Sequence, residues 1–137
     1  MTNRQKSVLA VVMVAWLGSA PAWADTTALP KVQTQGEASF VSGGIGDDEL
    51  AAMHEARRDY NLQLLFAAKG SGEYLSSVAV LVKNAHGDTV LDTVADGPLL
   101  YAKLPRGQYQ VSVRYQEQAQ SRKVRLGGGA TSLSFYW

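Results

Sequence analysis

The 137-residue chain has no cysteine, only two histidines and a formal net charge of +1. Without cysteine there is no disulfide framework, no thiol chemistry and no lipid-modified N-terminal cysteine, so stability must come from packing alone. His54 and His86 are isolated, and Asp88, Asp92 and Asp96 lack the spacing of a calcium loop, so no metal centre is read from the sequence. A near-neutral charge gives no bulk attraction to nucleic acid. Long apolar runs are scarce too. The one clear stretch, residues 8–17, is too short to span a bilayer and stay there.

That stretch follows Arg4 and Lys6 and precedes the small-residue site Ala22-Trp23-Ala24, which are the three regions of a secretory signal peptide cut after Ala24. A retained anchor has no second hydrophobic stretch or stop-transfer charge in its favour. Removing Arg4 and Lys6 from the 13 basic side chains leaves 11 against 12 acidic ones, a formal −1 on residues 25–137. The expectation is an exported bacterial protein, periplasmic or secreted and not integral to a membrane. Residues 25–36 are polar and aperiodic and read as a flexible leader, with residues 37–137 forming one domain.

What is present is period-two alternation. In residues 109–116, Tyr109, Val111, Val113 and Tyr115 share one face while Gln110, Ser112, Arg114 and Gln116 share the other. Pro105 and Gly107 supply the turn before this strand. Similar segments at 39–42, 60–66, 77–83, 89–95, 99–104, 121–126 and 131–137 give seven or eight short strands, the signature of an antiparallel sandwich. Val78, Val80 and Val82 against Ala79 and Leu81 predict a central strand covered on both faces. Leu133, Phe135 and Trp137 are expected to point inward. Asp47, Asp48 and Glu49 open one helix at residues 47–58, with Leu50 and Met53 on its apolar stripe. A hairpin loop at residues 117–120 would set Arg114 opposite Lys123 and Val113 opposite Val124.

With GDTVLDTVADGP leading into LLYAKLPRGQYQVSVRYQ and then SRKVRL, the chain resembles the carboxypeptidase regulatory-like domains over residues 62–126. The L-P-x-G-x-Y turn at residues 104–109 is the most specific element. The resemblance implies a mainly β, transthyretin-like (prealbumin-like) or immunoglobulin-like sandwich of about seven strands with one short accessory helix. It also implies a non-catalytic accessory or binding role, and it transfers no site residues. The 5-hydroxyisourate hydrolases of transthyretin-like fold end in Tyr-Arg-Gly-Ser, whereas this chain ends Ser134-Phe135-Tyr136-Trp137.

No catalytic constellation or cofactor is read from the sequence. Ser71 lies between glycines but in no G-x-S-x-G elbow. His86 and Asp88 belong to a turn-forming cluster. Gly127-Gly128-Gly129 lacks the lysine and hydroxyl of a phosphate loop. The aromatic ending resembles the signal of outer-membrane barrels, but the strands are shorter than a tilted spanning strand requires. The remaining feature is charge. Arg114, Lys123 and Arg125 are expected on one outward face, with Arg106 and Arg122 adding to its field, as a face for an anionic envelope component or an envelope protein. The alternative is an assembly partner acting through a sheet edge; a hydrolase of transthyretin-like fold ranks last.

Overall fold

Alternation sorts the residues of each strand into an inner and an outer set, and two sheets bury their inner sets against each other. This is the arrangement in a computed structural model that describes residues 29–137. The expected export segment, residues 1–24, lies outside the described residues. The strands are β1 (Gln33–Gln35), β2 (Ala38–Gly43), β3 (Leu62–Ala67), β4 (Ala79–Asn84), β5 (Thr89–Val94), β6 (Leu99–Lys103), β7 (Gly107–Tyr115), β8 (Gln118–Leu126) and β9 (Thr131–Tyr136). One sheet has the order β1-β2-β6-β3-β9 and the other β5-β4-β7-β8. All pairings are antiparallel except β3 with β9. The described residues thus form an open β-sandwich rather than a closed barrel.

Phe40, Leu64, Phe66, Leu100, Val111 and Phe135 meet between the sheets and are all buried. A second apolar cluster lies on the outer face of the five-stranded sheet. There the helix α1 (Asp47–Ala56) sets Met53 against Val41, Leu99 and Tyr101, with Leu50 and Ala56 beside it. The layers are therefore helix, sheet, sheet. Gly46 precedes the helix at φ 87°, where a β-carbon would be strained, and caps it with no side chain. Glu49 reaches back to the approach of the chain, its Oε1 accepting from the Gly44 and Ile45 amides at 2.8 and 3.1 Å and so fixing the entry into the helix.

Three expectations need correction. The segment read as a leader contributes β1, because Gln33, Thr34 and Gln35 pair with Phe40, Ser39 and Ala38; residues 25–28 lie outside the described residues. β4 is central, between β5 and β7, but only its inner face is fully buried. Val80 and Val82 are enclosed, whereas Ala79 and Leu81 are half-buried because no described layer covers the outer face of this sheet.

The third concerns the β7–β8 hairpin. It closes through Gln116 and Glu117, both at positive φ (49° and 68°), so Tyr115 faces Gln118 and Ser112 faces Ser121. Two residues with positive φ form the hairpin turn that matches the right-handed twist of strands. The tighter turn also extends the ladder to nine residue pairs. Arg114 consequently faces Ala119, not Lys123, and Val113 faces Gln120, not Val124. The pairing differs from expectation by an even number of residues, so each side chain keeps its face.

Candidate anion-binding face

The hairpin and the β4–β7 pairing together build a basic corner. Register aligns Lys83 of β4, Gln110 of β7 and Lys123 of β8 in one row across the sheet. The adjoining row holds Gln108 and Arg125. These side chains project outward and line a groove of about 490 Å³, whose wall also includes Asn84, Ala85, Gly87, Tyr109 and Val124. Three cations and three amides line it, with no carboxylate among the lining residues. Lys83, Lys123 and Arg125 are all exposed. An anion entering the groove meets a positive potential and amide donors from Asn84, Gln108 and Gln110.

Local structure holds the wall in place. Asn84 Oδ1 accepts from the His86 and Asp88 amides at 2.9 and 3.0 Å, and the Gly87 amide donates to the Asn84 carbonyl at 3.0 Å. The His86 and Asp88 amides are thus engaged in shaping a turn. Beneath the groove, Tyr109 donates its hydroxyl to the Pro105 carbonyl at 2.6 Å, pinning the Pro-Arg-Gly turn onto the strand it introduces. Burial, reinforced by the charge of Glu37, pushes this phenol above its ordinary value.

The five cations singled out in the sequence separate here. Lys123 and Arg125 line the groove. Arg114 shares their outer face but sits in the row of Ala79 and Ala119, away from the groove lining. Arg106 lies on the preceding turn and lines a neighbouring hollow together with Arg125. Arg122 departs from the group. It pairs with Val111 on the inner side of the hairpin, and its guanidinium carbon lies 4.8 Å from the centre of the Phe135 ring, a cation–π contact that covers the edge of the core.

Lys83 was missed. Its position in alternation with Ala79 and Leu81 signalled an outward side chain, but its nearness to Lys123 depends on β4 pairing with β7, three strands later in the chain. Among the described residues no three of His, Cys, Asp and Glu gather as they would around a metal ion. Nor is any helix among them long and apolar enough to cross a membrane. The chain matches no protein-family model, and no curated protein matches it significantly.

Proposed function

We propose that this chain is an exported, non-catalytic binding module of the periplasm or cell envelope that holds an anionic partner in the groove of Lys83, Lys123 and Arg125. The observation that carries the reading is the convergence of three exposed cations, Lys83 from β4 and Lys123 and Arg125 from β8, on one groove without a lining carboxylate. A two-sheet sandwich with an L-P-x-G-x-Y turn supports placing it near the carboxypeptidase regulatory-like domains, whose usual role is accessory binding. Export rests on Arg4, Lys6, the apolar run 8–17 and Ala22-Trp23-Ala24. Intact mass of protein recovered from the periplasm should correspond to a chain starting at Asp25; full-length protein held in the inner membrane would refute export.

The groove is tested by replacing Lys83, Lys123 and Arg125 together with Gln and measuring retention on immobilised polyglutamate and on a heparin-derived oligosaccharide. Wild-type retention should fall as salt rises, and the triple variant should lose it. A matched triple variant at Arg57, Arg58 and Lys69, outside the groove, should retain it. Equal loss in both variants would reduce the effect to net charge and remove the groove from the account.

A further inference from the structure

We propose that the outer edge of β8 is a docking edge for an extended acidic peptide segment of a partner protein, which joins the β5-β4-β7-β8 sheet as a fifth strand. This rests on the anionic-partner reading of the groove and names the partner. Among the described residues β8 is bonded to β7 alone within its sheet. The two-residue turn makes Tyr115 and Gln118 a mutually hydrogen-bonded pair, and bonding alternates along an antiparallel ladder. Gln120, Arg122, Val124 and Leu126 therefore bond to β7, while Ala119, Ser121, Lys123 and Arg125 turn their N–H and C=O groups outward. All four of the latter are exposed.

The same four residues send their side chains to the outer face that carries the groove. Backbone donors and acceptors thus coincide, residue by residue, with Lys123 and Arg125. A strand laid along this edge at about 4.8 Å would place every second side chain beside Arg125, Lys123, Ser121 and Ala119 in turn. The matching pattern is a carboxylate at two alternate positions followed by small or hydroxyl side chains. A phosphate or a glycan would use the cations and leave the edge groups unpaired, whereas a peptide uses both.

Other occupants fit less well. A second copy pairing through β8 would bring Arg122, Lys123 and Arg125 of each chain onto one seam, where like charges oppose. Residues 1–28 of this chain hold a single acid, Asp25. The edge on the opposite flank is already engaged: the Gln35 side chain donates to the Asp92 carbonyl and accepts from the Asp92 amide, both at 2.9 Å, in the middle of β5. The β9 edge carries no charged side chain.

The test uses the purified protein and a nine-residue peptide alternating Glu and Thr, a version with Gln for Glu, and a version N-methylated at each Glu. Inorganic phosphate, a heparin-derived oligosaccharide and anionic phospholipid vesicles serve as competing probes. The parent peptide should bind, both altered peptides should bind at least tenfold more weakly, and exchange of the Ser121, Lys123 and Arg125 amide hydrogens should slow in the complex. Ser121→Pro removes one outward N–H without touching a cation and should weaken binding at least tenfold while melting as a folded protein; should it fail to fold, the N-methylated peptide carries the same test. Equal affinity for the N-methylated peptide, or binding of phosphate, oligosaccharide or vesicles without binding of the peptide, overturns the edge and leaves the groove standing. Dimerisation that protects the same amides without peptide also overturns it. Undiminished binding of every probe by the Lys83, Lys123 and Arg125 triple variant overturns both readings.

Discussion

Gln116 and Glu117 each adopt a left-handed backbone conformation that side chains with a β-carbon disfavour. Asn-Gly meets the same geometry at lower cost. The double change Gln116→Asn with Glu117→Gly should therefore stabilise the protein by about 1 kcal/mol in denaturant melts; no change would mean that the turn is relaxed as it stands. In β7, the strand that enters this turn, Val111→Ala should cost about 1–3 kcal/mol through lost burial and a residual cavity. Ser112→Ala breaks only a 2.8 Å hydroxyl pair with Ser121 and should cost about 0.5–1 kcal/mol. Equal losses in parallel melts would contradict the assigned faces. Gly97 makes a different point: a β-carbon there would strike the backbone of Gly43. Gly97→Ala should consequently destabilise by about 1–3 kcal/mol, although alanine changes so little elsewhere.

At the scale of elements, the sequence marked most strands because alternation is a local property of the chain. Residues 131–137 illustrate this, since Phe135 is fully buried and Leu133 and Trp137 pack against the same core, as alternation required. β1 escaped notice because Gln33-Thr34-Gln35 has no apolar residue to alternate; its place is fixed by pairing with β2 and by the Gln35 link to β5. The hairpin register was misjudged because Gln116-Glu117 lacks the glycine or asparagine that usually announces a two-residue turn. Two of the groove's cations were legible as neighbours on one strand, and Lys83 was not, because a non-local pairing supplies it. The helix offers its own test. Met53 is its only fully buried side chain, and Met53→Ala should cost about 2–5 kcal/mol. A loss as small as that of a surface change would detach α1 from the sheet beneath it.

Over the whole molecule, a net charge near zero conceals a separation. α1 carries Asp47, Asp48, Glu49 and Glu55 with no Lys or Arg, on one side of the sandwich. On the other side the outer faces of β4, β7 and β8 carry Lys83, Arg114, Lys123 and Arg125 with no carboxylate. Such a molecule presents a positive sheet and a negative helix, and orients in the field of a charged partner before contact. Alkaline stability is also a global property. Burial is the first cause raising the phenols of Tyr60, Tyr101 and Tyr109 above 10.0; Asp59 and Glu37 add to it for Tyr60 and Tyr109, and Arg57 offsets part of it for Tyr101. The folded state thus favours the neutral phenols, a contribution fully present below pH about 10 and lost as pH rises through the higher folded values. Denaturant melts between about pH 8 and about pH 12 should show stability falling at the alkaline end, with a shallower fall for Tyr101→Phe. The Gln35 amide on Asp92 has a last consequence for how such molecules add together. A sandwich with two receptive flanks can propagate, each newcomer offering a fresh surface to the next. With β5 closed by its own glutamine, the β5-β4-β7-β8 sheet keeps β8 as its one receptive edge, so strand addition of the proposed kind would end a series on that sheet rather than continue it.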